Sequence, residues 1–298
     1  MFDDWYRPNA MLEYPKGGSG AIIDALVRGL EKNGGQLVTS AHVDEVLIEG
    51  DRAVGVRLRN GKTVRASEAV ISNASLWDTL PLLPDGALPE LEKEAEETDQ
   101  CKSFMHLHLG IDAEGLEDVR LHHMIVDSWE KGVEAERNVV LVSIPSAIDP
   151  SMAPEGKHVV HAYYPGTEPY ELWENLERGS PEYEALKKER AEQLWRAVEK
   201  AIPGARERCE IEMIGTPKTC ARFLRRHRGT YGGRNWIADG EGSVANLTVG
   251  TPLDGFFCVG DSRFPGPGVP SVAAGGMLVA HSLVGWQQQV KVIDQVLA

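Results

Sequence analysis

The sequence contains few cysteines, and none of them is paired in a short motif. The four cysteines, Cys101, Cys209, Cys220 and Cys258, are far apart and form no CxxC spacing. Structural zinc sites and disulfide scaffolds require closely spaced or numerous cysteines. We therefore expect neither kind of site, and the composition is typical of a protein from a reducing compartment.

Positive charge is also in short supply. The 298 residues carry 31 lysines and arginines against 45 aspartates and glutamates, so the formal net charge is −14. A nucleic-acid partner requires a basic face that neutralises phosphates. The charge balance therefore predicts that this chain binds no nucleic acid.

Long apolar runs are missing as well. The sequence has no stretch of about eighteen apolar residues, which a membrane-spanning helix needs. The acidic and aromatic N-terminus, MFDDWYRPNAMLEYP, has neither a signal-peptide nor a transit-peptide pattern. We expect no transmembrane span, whereas peripheral association with a membrane stays open. The hydrophobic fraction of 42% is enough for the core of one large domain or two.

Glycine and proline are concentrated in one stretch near the C-terminus, where residues 256–283 read FFCVGDSRFPGPGVPSVAAGGMLVAHSL. The apolar run at 256–259 predicts a buried strand, and the Gly/Pro-rich segment predicts a stiff loop whose backbone can approach a ligand closely. Ser271 is the expected N-cap of the helix that follows. A strand, a carboxylate, a tight loop and a helix N-terminus together suit the binding of hydroxyls and phosphates.

This stretch closely resembles the C-terminal flavin-binding signature of FAD-dependent carotenoid desaturases and carotenoid isomerases, the phytoene-desaturase-like branch of the amine-oxidase superfamily. The resemblance implies that Asp261, which follows Gly260 at the strand end, bonds the ribityl chain or the phosphates of FAD. It also implies that Gly268, Val269 and Pro270 lie near the isoalloxazine ring. The alternative is a loop that merely turns a strand into a helix.

The first part of the chain continues the resemblance. Apolar residues at helical spacing predict a helix at 17–33. Period-two alternation and a short apolar run predict strands at 36–39, 43–49, 53–58, 63–65 and 69–74. This order is similar to the second part of the FAD-binding domain in the same family, which implies that the backbone of Val43 contacts the adenine edge. An ordinary strand valine is the alternative.

The central part combines an acidic run with a histidine-bearing strand. Residues 85–100 hold seven acids against one lysine, which is typical of a solvated helix face, with docking on a basic partner as the alternative. The alternation at 104–111 places His106 and His108 on one face of a strand, and His122-His123 follow. No carboxylate or cysteine completes a ligand set at a recognisable spacing, and the resembling family has histidines here without a metal. We predict packing histidines and no metal site.

The clearest helix is predicted at 181–202, ahead of Pro203-Gly204. The chain also carries one basic cluster, formed by Arg222, Arg225, Arg226, His227 and Arg228. Three interpretations of this cluster stay open. It forms a solvated face or internal ion pairs, it contacts anionic lipid headgroups, or it contacts a partner or the phosphates of FAD.

The sequence contains no GxGxxG, the motif whose glycines let backbone amides approach a dinucleotide pyrophosphate. Full members of the resembling family begin with a strand and this motif, so the match corresponds to their second half. We therefore predict a mixed α/β (α+β) fold with two parts. Residues 1–75 and 250–298 form an incomplete FAD-binding, Rossmann-like (glutathione-reductase-like) domain, and residues 76–249 form a substrate-type domain with an antiparallel sheet and helices.

The resemblance supports two functions. The first is one piece of an FAD-dependent carotenoid (polyene) isomerase or desaturase, which binds FAD only when the missing half is supplied. The second is a non-catalytic scaffold or interaction subunit of a larger assembly, such as a photosynthetic membrane complex. A free-standing polyene-binding module ranks last.

Both functions imply a protein partner that covers the exposed half-domain, with a carotenoid as a candidate ligand. Both imply a location in a plastid or in the cytoplasm of a cyanobacterium, soluble or peripheral to the thylakoid membrane. No residue is singled out as a catalytic acid or base. His123 and Tyr231 are guesses only.

Overall fold

The computed structural model describes residues 14–230, 232, 250–263 and 265–297. The chain divides into two compact units, each assembled from three segments. The first unit comprises Met1–Thr39, His106–Tyr163 and Lys188–Ile214, and the second comprises Ser40–Met105, Tyr164–Lys187 and Gly215–Ala298. These units are defined by packing alone. The division into an FAD-binding part and a substrate part therefore stays a prediction.

The described residues contain both α-helices and β-strands. The α-helices are α1 (Ser19–Lys32), α2 (Leu76–Thr79), α3 (Pro89–Glu97), α4 (Pro181–Ala201), α5 (Pro217–Leu224), α6 (Val269–Leu283) and α7 (Trp286–Leu297). The strands are β1 (Val43–Glu49), β2 (Arg52–Leu58), β3 (Thr63–Arg65), β4 (Val70–Ser72), β5 (Ser103–Asp112), β6 (His122–Val126), β7 (Val139–Ser143), β8 (Lys157–Glu168), β9 (Cys209–Gly215) and β10 (Phe256–Cys258). The mixed composition agrees with the predicted fold class.

A five-stranded sheet has the strand order β6-β7-β8-β5-β9. The alternation predicted for β5 is confirmed, because Met105, Leu107 and Leu109 are buried while His106 and His108 lie on the other face. Helix α4 contributes buried apolar side chains such as Leu194 to the core of the first unit. A hydrogen bond of 2.6 Å from Nε1 of Trp195 in α4 to Glu212 in β9 ties this helix to the sheet. The face of β5 that carries Met105, Leu107 and Leu109 is therefore packed in the apolar core.

The second unit contains two smaller sheets. Strands β1, β2 and β3 form an antiparallel sheet, and β4 and β10 form a parallel pair. The two are linked where the backbone N–H of Ala53 donates to the carbonyl of Asp254, at 2.8 Å, just before β10 begins. A continuous apolar core joins these strands to α2 and α3, and its buried members are Val46, Ala53, Leu76, Leu83, Leu88, Leu91, Leu253, Phe256 and Cys258.

The structure differs from the sequence-based prediction in one strand and in the start of one helix. The strand predicted at 36–39 is wrong, because this segment pairs with no neighbour among the described residues and its Leu37 and Val38 are exposed. An extended segment without a partner gains no ladder hydrogen bonds. Helix α6 starts at Val269 rather than after Ser271. The proline at position 270 suits the first turn, where its missing N–H costs no hydrogen bond.

The helices of the described residues bear on the predicted lack of a membrane-spanning segment. No helix among them combines the length and the apolar character needed to cross a bilayer.

Leu194 and Leu26 provide a matched test of the packing in the first unit. Leu194 in α4 is completely buried, whereas Leu26 in α1 is 66% exposed. We expect Leu194→Ala to lower the free energy of unfolding by about 2–5 kcal/mol through lost transfer energy and a residual cavity. Leu26→Ala should change it by less than about 0.5 kcal/mol. Urea denaturation followed by circular dichroism measures both, and equal effects would contradict this core.

Candidate functional site

The predicted loop leaves the sheet at the end of a buried strand. Strand β10 pairs with β4 in parallel register, Cys258 opposite Ser72, and the N–H of Val259 donates to the Ser72 carbonyl at 2.9 Å. The Ser72 hydroxyl is itself buried and lies 2.8 Å from the Thr79 hydroxyl. The start of the loop is therefore fixed by hydrogen bonds on both its backbone and its neighbouring strand.

Gly260 occupies a position that only glycine fits. Its φ is +104°, in a region that side chains other than glycine disfavour. A Cβ atom here would lie 2.5 Å from Oδ1 of Asn73. The close approach brings the loop against the end of β4, so Asp261 emerges directly at the carboxyl edge of the parallel pair.

Asp261 is held by an ion pair that the sequence did not reveal. Nη2 of Arg226 donates to Oδ2 of Asp261 at 2.6 Å, and the two side chains are only 23% and 20% exposed. Nε of Arg226 donates to the Thr230 carbonyl at 2.7 Å, which orients the guanidinium. Among the described residues, no protein group bonds the second carboxylate oxygen. Asp261 is therefore an oriented acceptor with one oxygen available.

The two residues after Asp261 anchor the loop to the short helices of the second unit. The hydroxyl of Ser262 accepts a hydrogen bond of 3.1 Å from the N–H of Leu76, at the start of α2. Nη1 of Arg263 donates to Glu94 in α3 at 3.0 Å, and both side chains are largely buried. Glu94 belongs to the acidic run for which we predicted a solvated face. That prediction is wrong for this one carboxylate, which serves as an internal counterion.

Gly268, Val269 and Pro270 form the exposed start of α6. Gly268 has a φ of +103°, and no side chain caps the helix N-terminus. The side chain of Val269 is 63% exposed. The free N–H groups and the positive end of the helix dipole therefore face outward, as the binding of a polar or anionic group requires.

Val43 lies on a different sheet from this loop. It begins β1, where it is half-buried and pairs with Leu58 in β2. Like the loop residues it belongs to the second unit. Gly260 and Asp261 are adjacent to Arg226, Asn73 and α2, whereas Val43 has no described contact with them. A role of its backbone in adenine binding stays a prediction.

The basic cluster separates into paired and exposed members. Arg226 bonds Asp261, and Arg228 bonds Glu171 at 2.7 Å while its guanidinium lies over the Tyr170 ring. The N–H of His227 donates to Asp78 at 2.9 Å. These contacts support internal ion pairs for part of the cluster. Arg222 and Arg225 are exposed beside Phe223 and Leu224, and their contact with lipid or a partner stays a prediction.

Three histidines come together on the open face of β5 and β8. The ring of His161 lies 5.1 Å from that of His106 and 4.3 Å from that of His108, measured between centroids. Burial, followed by the neighbouring His108, lowers the pKa of His106 to about 4. Burial and both neighbours lower the pKa of His161 to about 3. The sequence analysis missed His161 because a strand partner's register cannot be inferred from spacing alone.

The roles guessed for His123 and Tyr231 stay predictions. His123 lies on β6 opposite Val142, and its buried Nε2 has no hydrogen-bond partner in the described structure. Tyr231 is outside the described residues.

An apolar groove lies beside the loop, between α6 and the β4–β10 pair. Its volume is about 360 Å³, and it is lined by Ile71, Val259, Gly276, Val279, Ala280, Leu283 and Val284. Helix α1, in the other unit, likewise has no buried residue and exposes Ile23, Leu26 and Leu30. Each unit therefore presents apolar surface that the described residues leave uncovered.

Comparison with solved structures defines the class of fold. An oxidoreductase from Methanosarcina mazei superimposes with a TM-score of 0.58 at 23% identity, covering 90% of this chain and 55% of that chain. The chain shares the mixed α/β fold of this oxidoreductase and, at a TM-score of 0.50, of cyclohexylamine oxidase from Brevibacterium oxydans, which confirms the predicted mixed α/β fold class. No family model matches the chain.

Sequence comparison identifies the relatives within that class. Prolycopene isomerase 2, chloroplastic, from an Oncidium hybrid cultivar is 37% identical over 294 residues, which are 96% of this chain and 49% of the isomerase. The neurosporene-forming phytoene desaturase of Rhodobacter capsulatus is 29% identical over 293 residues, 91% of this chain and 53% of the desaturase.

The predicted resemblance is therefore confirmed: the chain is related to carotenoid isomerases and desaturases over nearly its whole length. It spans about half the length of the curated relatives it matches. These findings support an FAD-dependent ancestry.

Gly260 and Gly268 allow a matched test of the loop geometry. Both have a φ near +104°, but a Cβ at Gly260 would strike Asn73 whereas one at Gly268 would meet nothing within 4 Å. We expect Gly260→Ala to lower the free energy of unfolding by about 1–3 kcal/mol more than Gly268→Ala.

Adding Asn73→Ala to Gly260→Ala should recover most of that difference, because the obstructing Oδ1 is removed. Thermal unfolding of the native chain, of Gly260→Ala, of Asn73→Ala and of the double variant measures the coupling between the two positions. A Gly260→Ala variant that costs no more than Gly268→Ala would contradict the close approach at the strand end.

Proposed function

We propose that this chain is one half of an FAD-dependent carotenoid isomerase or desaturase, and that the nucleotide-binding part is contributed by polypeptide that these residues do not include. The observation that carries the proposal is the oriented carboxylate of Asp261 at the carboxyl edge of β10, beside the exposed N-terminus of α6. Ligands of open α/β sheets bind at such an edge. The relatedness to prolycopene isomerases supports carotenoids as the substrate class.

The residues present fit the flavin end of FAD. Asp261 offers an acceptor for ribityl hydroxyls, Gly260 and Gly268 give a backbone without side-chain obstruction, and the α6 N-terminus offers donors. Val269 supplies an exposed apolar contact for a ring. The sequence has no GxGxxG to hold the pyrophosphate, so the proposal requires that motif on the other half.

FAD would supply the redox chemistry by hydride or transient electron transfer, and this chain would supply position and environment. Arg226 holds Asp261 in one orientation, so the acceptor is prepared before a hydroxyl arrives. Arg263 and Ser262 fix the rest of the loop to α3 and α2. The apolar groove beside α6 would exclude water from one side of this region once a second polypeptide covers it.

Flavin content provides the direct test. The chain is purified with its natural partners, the flavin is released by heat, and FAD is quantified against chain concentration. We expect near-stoichiometric FAD for the native chain and an affinity about 10–100-fold lower for Asp261→Asn, since a hydrogen bond to a charged group contributes about 1.5–3 kcal/mol.

Asp254→Asn is the matched control. Asp254 is an exposed carboxylate that pairs with Arg52 in the segment before β10, outside the loop, so its replacement should leave the FAD content unchanged. If the folded chain with its partners carries no FAD, the proposal fails. That result would favour the non-catalytic scaffold, whose support is the uncovered apolar surface on both units.

We further propose that the groove beside α6 is covered by the polypeptide that carries the strand–GxGxxG–helix part. The lining is apolar, and its member Ile71 lies in the parallel pair that this part would extend. An unpaired strand edge next to an apolar groove suits a further strand and helix better than water. As with the chloroplastic isomerase relatives, a plastid or cyanobacterial setting at the surface of the thylakoid is the proposed location.

The groove is tested by placing a charge in it. Ala280→Glu should weaken association with the second polypeptide by on the order of 100-fold, because an unpaired buried charge costs about 3–5 kcal/mol. Gln288→Glu adds the same charge on exposed α7 and should have no effect. Analytical ultracentrifugation of the purified pair measures both dissociation constants. Equal affinities for the two variants would exclude the groove as the interface.

A further inference from the structure

We propose that His106, His108 and His161 form a binding site for one divalent transition-metal ion of the zinc type. One nitrogen of each imidazole lies within 4.8 Å of the others. All three residues belong to the first unit, whereas the loop around Asp261 belongs to the second. The site is therefore independent of the proposed flavin function.

The backbone places the three histidines without help from a flexible loop. His106 and His108 are two residues apart on β5 and so point to the same face, and His161 lies on β8, the neighbouring strand of the sheet. A site on adjacent strands is held by ladder hydrogen bonds, which fixes the Cβ positions before an ion arrives.

One of the nitrogen separations is close to that of a metal site. Nδ1 of His106 and Nε2 of His161 are 2.9 Å apart and share a hydrogen bond. Two nitrogens on a tetrahedral zinc ion, each at about 2.0–2.1 Å, lie about 3.3 Å from one another. Replacing the shared proton by an ion requires these two nitrogens to separate by only a few tenths of an ångström.

The rings must turn for the ion to bind. They are stacked, with only 5° between the planes of His108 and His161, so their lone pairs do not yet converge. The second side-chain torsion of histidine is broad and turns at little cost. His108 is exposed, so its ring has room to move.

The chemistry of the set selects the class of ion. Imidazole nitrogens suit zinc, copper, cobalt and nickel, whereas calcium and magnesium prefer oxygen. Three protein ligands leave a fourth coordination position, as in zinc sites that keep a water or an exogenous ligand. Burial lowers the pKa of His106 and of His161, which favours the neutral form of both imidazoles.

The alternative is a cluster of neutral stacked histidines that only packs. A packing cluster accounts for the short ring distances but predicts no tight, stoichiometric binding of an ion. The two roles differ in the affinity for the metal ion. A chelating set of three histidines binds the ion tightly and loses much of that affinity when one ligand is removed, whereas a packing cluster has no such affinity to lose.

The test uses the full chain without a polyhistidine tag, stripped of metal with a chelator and titrated with Zn²⁺ against a chromophoric competitor. We expect one Zn²⁺ per chain, and Co²⁺ in its place should give the intense visible absorption of a tetrahedral centre. His161→Gln should weaken Zn²⁺ binding at least about 100-fold, the upper end of the loss caused by removing an outer-shell partner.

His122→Gln is the control, because His122 is exposed on β6 of the same sheet and bonds Ser143 rather than the trio. It should bind Zn²⁺ like the native chain. His108→Gln, at the exposed position, provides a second ligand variant whose fold is checked by circular dichroism. Substoichiometric binding by the native chain, or equal affinity of the native chain and of His108→Gln and His161→Gln, would overturn the site.

Discussion

The parallel pairing of β10 with β4 is the constraint on which the rest of the second unit depends. Only three residue pairs form this ladder, yet it fixes where the chain leaves the sheet and which way Asp261 points. Phe256 and Cys258 alternate into the apolar core, so a slip of one residue would expose both and bury Phe257 in their place. Burial raises the pKa of the Cys258 thiol to about 11, which agrees with a thiol that packs and does not react. The geometry of the loop is thus a consequence of hydrophobic register.

The surfaces left open by the two units have a common physical origin. Helix α1 has a complete apolar stripe but no buried residue, and α6 is apolar on most of its circumference. Such helices are stabilised by burying those faces, and the described residues bury only part of them. A chain that spans about half the length of its relatives is expected to show this imbalance. The same open surfaces suit the assembly of an enzyme from two parts and the attachment of a scaffold.

The sequence was sufficient to predict much of the fold and only part of the site. Strong periodicity placed β1, β5 and α4 within a residue or two of their observed bounds, because core burial imposes it directly. The sequence places the start of α6 three residues late, because Ser271 offers a capping side chain and the observed N-cap, Gly268, has none. Arg226 and His161 were missed as partners of Asp261 and His106 because these pairs are 35 and 55 residues apart. Tertiary register, which brings them together, leaves no local signal.

The electrostatics near Asp261 bear on which charged groups the loop can accept. The protein carries a formal charge of −14, so an anionic cofactor approaches against a repulsive field. Two arginines offset this negative field locally. Arg226 neutralises Asp261, and Arg263 neutralises Glu94 within the same loop region. Among the described residues of the loop, both carboxylates are compensated and the positive end of the α6 dipole remains. This charge balance supports the prediction that a hydroxyl-rich or anionic ligand binds here even though the chain as a whole is acidic.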